Sequence, residues 1–354
     1  MRAFKKRSFL SKQIMSFNFE KTKLSPREEL PKRSLPSFAS QSLLSTMRPR
    51  KPLGVLNLDV NSINDAHEPS AKDFCMGDTT YRHDGFSIGH DYLRLEGRTL
   101  TRGELVPNSL GIHELLGEGA FSKVYKGKWE NQDRTTDVAV KQFCLLESSP
   151  QRRQMLIKEL RALCQIDCEC LVHFHGAFLE NDAVTMVLEY MDRGSLEQLL
   201  LTSKGAMSEM FIASVAYQIL WGLSYLHHEK ILHRDIKPGN VLIHSSGAVK
   251  LCDFGLASLS DQSLQTTVVG TTRYMAPERL RAKPYGRSSD IWSFGLVLLE
   301  CFTREHPWKE SDSIVSLVIT VEETTIEELF PSSLPSHVRE FLKTCLQHKS
   351  GKRQ

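Results

Sequence analysis

The sequence predicts an α+β fold of two lobes, the first mostly β and the second mostly helical. Three observations carry this. Short β-branched and alternating runs crowd the stretch between Leu110 and Tyr190. Helical spacing interrupts them once, at Gln151–Gln165, and takes over after Met191. Strands first and helices afterwards, rather than the two alternating, is the α+β order.

The elements justify themselves in turn. Residues 1–80 are rich in Ser, Pro, Lys and Arg, and their apolar residues are scattered singly, so they read as a disordered tail. The tail is also strongly basic. Residues 1–52 hold 13 Lys/Arg against 3 Asp/Glu, while the remaining 302 residues carry 32 against 39. A basic tail on a mildly acidic body points to an anionic partner, and acidic protein grooves, membrane surfaces and nucleic acid all meet that description. The first 19 residues lack any acid, as mitochondrial transit peptides do, but they lack the amphipathic period of such a peptide. Arg2 excludes N-myristoylation. No window approaches ~18 uninterrupted apolar residues, so no transmembrane helix is expected. The eight cysteines follow no framework spacing and read as free thiols in a reducing cytosol. Cys164, Cys168 and Cys170 lie near His173 and His175 without matching any familiar zinc spacing.

Around Tyr81–Gly103 glycines and short apolar alternations suggest strands, so 81–107 reads as an extension leading into the first lobe, 108–190. There, Leu115–Gly119 and Ser122–Lys128 form two strands about a glycine turn, and Asp137–Phe143 is a β-branched run. Met155, Leu156, Leu160 and Leu163 repeat at helical spacing, and Val184–Tyr190 is another strand. The second lobe, 191–354, opens with helices at Ser195–Leu201, Met207–His228 and Asp290–Phe302.

Chemistry enters with the turn Gly117-Glu118-Gly119-Ala120-Phe121-Ser122-Lys123-Val124. Glycines between strands let backbone N–H groups approach phosphate oxygens with no side chain in the way. Alone this is a common hairpin turn. Val138-Ala139-Val140-Lys141 follows in a strand, where an unpaired ammonium is costly to bury. Glu159, in the next helix, supplies a partner. His233-Arg234-Asp235-Ile236-Lys237-Pro238-Gly239-Asn240 comes next, then Asp253-Phe254-Gly255, then Ala276-Pro277-Glu278.

In this order and spacing, the motifs over residues 110–354 resemble the protein kinase signature set. The resemblance implies a bilobal kinase fold, ATP and Mg²⁺ as cofactors, and a role for each matching residue. Lys141, paired with Glu159, holds the α/β-phosphates under the loop of Gly117 and Gly119. Asp235 accepts or orients the substrate hydroxyl proton, and Lys237 offsets charge on the transferring group. Asn240 and Asp253 hold the metal ions. Val124, Ala139, the gatekeeper Leu188 and the hinge from Glu189 to Met191 enclose adenine. Leu163, Phe174, His233 and Phe254 stack as a spine. Lys237 resembles the serine/threonine class, where tyrosine kinases place Ala-Ala-Arg.

Met191–Leu196 and Val269–Leu280 resemble the mitogen-activated protein kinase kinases, which phosphorylate both Thr and Tyr in one loop of a downstream kinase. The likeness implies loop phosphosites at Ser263 and Thr267 and an upstream activating kinase. Arg48, Arg50 and Lys51 followed by Leu56 and Leu58 resemble that family's docking segment, with basic side chains meeting an acidic patch and leucines an apolar groove. It further implies that Arg353 pairs with Glu278, that a closing helix is expected beyond Gln354, and that the protein works in the cytoplasm without nucleic acid. The third loop glycine is Ser122, and no proline-rich insert separates Pro307 from Pro331. A serine/threonine kinase one level higher in a cascade is the alternative, with a pseudokinase scaffold more remote.

Overall fold

In the computed structural model, most of residues 81–353 are described, while 1–80, 100–108, 255–271 and several shorter stretches lie outside the description. The basic tail with its docking segment, Ser263 and Thr267 therefore fall outside it.

Four short strands come first: β1 (Tyr81–His83), β2 (Phe86–Ile88), β3 (Leu93–Leu95) and β4 (Arg98–Thr99), an antiparallel meander. Five longer ones follow: β5 (Leu110–Glu118), β6 (Lys123–Asn131), β7 (Arg134–Cys144), β8 (Phe174–Glu180) and β9 (Ala183–Glu189). They form an antiparallel sheet in the order β5-β6-β7-β9-β8, with helix α1 (Pro150–Gln165) between β7 and β8 in sequence.

The two-residue period of a strand gives this sheet two different faces. Val138, Val140, Phe178 and Val187 pack with Trp129 in one small core. Residues of the other parity, including Ala177, Leu179, Val184 and Met186, belong to the larger core together with Leu156, Ile157 and Leu160 of α1. Lys141 has the parity opposite to Val138 and Val140, so β7 carries it on the α1 side. In register, Lys141 lies opposite Val124 of β6 and Met186 of β9, and Ala139 lies opposite Leu188.

The second lobe holds α2 (Leu196–Thr202), α3 (Glu209–His228), the hairpin β10 (Val241–Ile243) and β11 (Val249–Leu251), and then α4 (Pro277–Leu280), α5 (Arg287–Thr303), α6 (Ile314–Glu323) and α7 (Ser336–Cys345). Helix starts follow capping chemistry. Ser195 and Gln198 form a capping box on α2, and the Ser208 hydroxyl accepts the Phe211 N–H at the start of α3. That cap moves the start of α3 two residues past Met207. α5 is the buried pillar: Trp292 and Leu296 are wholly inaccessible, and α3 and α7 pack against it. The sequence does not announce β8, because His175 and Gly176 interrupt its β-type run. Four consecutive buried residues, Gly176 to Leu179, show what the pattern hides: a strand covered on both faces has no alternation to read.

Candidate active site

The ammonium of Lys141 stands between two carboxylates. Its Nζ lies 3.0 Å from Glu159 Oε1 and 2.6 Å from Asp253 Oδ1. The Lys141 and Glu159 side chains are about 5% exposed, whereas the Asp253 carboxylate keeps 41% of its surface open. Burial by itself would push Lys141 down, but the charges of Asp253 and Glu159 overcome it and hold the lysine well above its ordinary value. Burial pushes the Glu159 carboxyl up, and Lys141 pulls only part of that back. At Asp253 burial acts upward too, yet Lys141 wins and the carboxyl sits below its ordinary value. Lys141 and Asp253 are thus charged at neutral pH, with Asp253 as the open face of the cluster. Asp253 has φ +56°, a left-handed backbone that a non-glycine residue adopts at a cost of about 1–3 kcal/mol.

A second group of residues sits on the loop after α3. Asp235 Oδ2 is 2.9 Å from Lys237 Nζ. The Asn240 amide Nδ2 donates to the Asp235 carbonyl at 2.8 Å and to its Oδ2 at 2.9 Å. Those bonds leave the Asn240 carbonyl oxygen available as a ligand. The loop is held from beneath by Asp290, in the first turn of α5. Its carboxylate accepts the N–H of His233 at 3.0 Å and of Arg234 at 2.8 Å, and contacts His227 Nε2 at 2.7 Å. Burial opposes ionisation of Asp290, but these donors hold it below its usual range. Arg234 adopts φ +69°, and Arg279 donates to its carbonyl. Both peptide groups flanking this strained residue are therefore tied down.

The spine residues join the same core. His233 and Phe254 meet edge to face with ring centroids 6.4 Å apart, Leu163 is buried, and Phe174 is partly buried. Burial holds the His233 imidazole below its ordinary value, so the ring is neutral. At the hinge, Glu189 Oε2 accepts the His173 N–H at 3.1 Å and Lys250 Nζ at 2.7 Å. A Cβ at Gly117 would meet nothing within 4 Å, so the space beside this glycine is open. Lower down, Arg353 grips Glu278 at 2.6 and 2.8 Å, and Ser289 Oγ donates to the same carboxylate at 2.6 Å.

The structure therefore brings together Lys141, Glu159 and Asp253 in one cluster, and Asp235, Lys237 and Asn240 in another. Asp253 in the first offers an open carboxylate and Asn240 in the second a primary amide carbonyl, hard oxygens of the kind Mg²⁺ takes. Reading the sequence missed Asp290, His227, Arg279 and Lys250. An acid in the first turn of an apolar helix was the visible signal for Asp290, and it reads equally as a helix-dipole partner.

Comparison with known proteins agrees with this geometry. The protein kinase domain family matches residues 110–354. The chain belongs to the protein kinase family. It is 32% identical over 309 residues to mitogen-activated protein kinase kinase 2 of Arabidopsis thaliana, covering 81% of this chain and 83% of that one. It is 38% identical over 240 residues to the mitogen-activated protein kinase kinase SIPKK of Nicotiana tabacum, 65% of this chain and 66% of the relative. It is also 38% identical over 224 residues to the MAP kinase kinase MKK1/SSP32 of Saccharomyces cerevisiae, 62% of this chain and 42% of the relative. The chain thus spans less than two thirds of the tobacco and yeast relatives. This kinase resembles the mitogen-activated protein kinase kinases. Among the described residues, no helix is long and apolar enough to cross a membrane.

Proposed function

We propose that this kinase phosphorylates Thr and Tyr in the activation loop of a downstream mitogen-activated protein kinase. The observation that carries the phosphotransfer reading is the Lys141 ammonium held between Glu159 and Asp253. Mg-ATP, when bound, supplies the γ-phosphoryl group. Gly117 and Gly119 give the phosphates room, and Lys141, fixed by Glu159, orients them. Asn240 and Asp253 hold the metal, while Val124, Ala139, Leu188, Glu189 and Met191 enclose adenine. Asp235 orients the incoming hydroxyl and takes its proton, and Lys237, 2.9 Å away, offsets charge on the transferring group. Phosphoryl transfer asks a protein for position and electrostatics more than for covalent chemistry, and this site offers both.

The finer reading rests on the named relatives and on the segments Met191–Leu196 and Val269–Leu280. It includes an upstream kinase acting on Ser263 and Thr267, docking of the substrate kinase through Arg48, Arg50, Lys51, Leu56 and Leu58, and a cytoplasmic site of action. The residue spans 1–80, 81–107, 108–190 and 191–354 are the matching division into tail, extension and lobes.

The test is to incubate the activated kinase with a panel of inactive mitogen-activated protein kinases and to map phosphosites by mass spectrometry. Paired Thr and Tyr phosphorylation in one activation loop supports the proposal. Phosphate on serine or threonine of unrelated substrates, with those loops untouched, would favour the upstream-level alternative.

A further inference from the structure

The strands β1–β4 precede the matched family region, which begins at residue 110, yet β2 and β3 lie against the five-stranded sheet. β8 is one of the two edge strands of the five-stranded sheet. Its outer edge is met by the β2–β3 hairpin, where the Leu179 N–H donates to the Gly89 carbonyl at 2.8 Å. An edge strand offers unpaired backbone groups, and this contact uses one of them.

The hairpin also contributes side chains. Ile88 and Leu93, on either side of Gly89, are both 0% exposed. They belong to the same continuous core as Leu156 and Leu160 of α1 and Leu179 and Met186 of the sheet. Both α1 and the hairpin lie against β8. Close-packed cores transmit displacement, because a void on one side of a strand costs its lining atoms their contacts. Glu159 lies between Leu156 and Leu160 on α1, so its reach to Lys141 depends on where that helix sits. Among the described residues, α1 has no acid in its first turn to favour its start. Its placement therefore relies on packing, as is general for helices in proteins.

We propose that the β2–β3 hairpin is a positioning element: through Ile88 and Leu93 it fixes β8 and α1 so that Glu159 meets Lys141. The consequence for nucleotide rests on the reading that this ion pair orients the phosphates. The consequence for α1 does not.

The experiment uses the full chain carrying Leu93→Ala. Deuterium exchange of amides 156–163 is measured without nucleotide, and the Kd for Mg-ATP is measured by calorimetry. We expect exchange in α1 to accelerate and the Kd to rise by about tenfold, the factor that a modest loss of coupling produces. In a Glu159→Gln background, Leu93→Ala should raise the Kd no further, because the pair through which it acts is already gone. Leu93→Ile should restore both readouts. Should Leu93→Ala fail to fold, Leu93→Val, which removes one methylene, takes its place in the same comparisons. Unchanged exchange in α1, or effects of Leu93→Ala and Glu159→Gln that simply add, would overturn the proposal. Faster exchange with an unchanged Kd would uphold the hairpin's hold on α1 and overturn the phosphate-orienting reading of the pair instead.

Discussion

Removing the Arg353 side chain should destabilise the helical lobe by an amount that the geometry bounds. The guanidinium is wholly buried and the Glu278 carboxylate is 9% exposed, so neither charge can turn to water when its partner is lost. Breaking such a pair from one side costs about 3–5 kcal/mol. For a domain of this size each kcal/mol lowers Tm by about 2–4 °C, so Arg353→Ala should melt roughly 6–20 °C lower. Glu278→Ala should lose less. Arg353 would still donate to the carbonyls of Gln347 at 2.6 Å and of Ser288 and His348 at 3.2 Å, with Trp292 stacked 5.0 Å away. Glu278 without Arg353 would keep only Ser289 among the side chains that bond its carboxylate here. The double variant should lose less than the sum, by about 0.5–3 kcal/mol. The pH dependence has a definite sign. Burial opposes ionisation of Glu278, but Arg353 and Ser289 hold it below its ordinary 4.5. A depressed carboxyl stabilises the fold above its unfolded value, and that stabilisation is lost as pH falls through the lower folded value. The gap in Tm between wild type and Arg353→Ala should therefore narrow below pH 4.5. Scanning fluorimetry of the four proteins across pH is the assay. Additive losses, or a gap that does not narrow in acid, would refute the coupling.

Lys141→Met should abolish most phosphoryl transfer with the fold intact, checked by circular dichroism beside a kinase assay; a folded variant at wild-type turnover would refute the assignment. Replacing Ser263 and Thr267 by Ala should block activation by an upstream kinase, because each phosphate brings about −1.5 to −2 charges with which to order the loop. Turnover before and after such treatment measures this. Changing Arg48, Arg50 and Lys51 to Glu should weaken phosphorylation of the cognate kinase while sparing an unrelated peptide, and the difference should shrink as salt screens the pairing. Equal loss on both substrates would remove the docking reading.

The sequence announced the chemistry of this protein more fully than its support. Lys141, Asp235, Asn240 and Asp253 sit in short motifs whose order alone narrows the family, and the Glu159 partner followed from the cost of burying a lone ammonium in a strand. The Arg353–Glu278 pair was also legible through the resemblance. What stayed hidden works at long range. Asp290 reaches residues 56 and 57 positions back to hold two peptide N–H groups, and no local pattern encodes that distance. Arg279 holding the Arg234 carbonyl is equally silent in sequence. Strands were visible around Tyr81–Gly103, but their seat on β8 was not, because β8 itself, buried on both faces and broken by Gly176, lacked the alternation that marks a strand.

The most direct test of the site is the rate of γ-phosphoryl transfer by Asp235→Asn in the full, activated chain, with Mg-ATP affinity measured in parallel. Under the proposed function Asp235 takes the hydroxyl proton, and the Asn240 amide and Lys237 already fix its carboxylate. Losing a positioned proton acceptor typically costs about 10²–10⁴-fold in rate. The account predicts a fall of that size in kcat with nucleotide affinity little changed. A folded Asp235→Asn enzyme that transfers phosphate at the wild-type rate would contradict it.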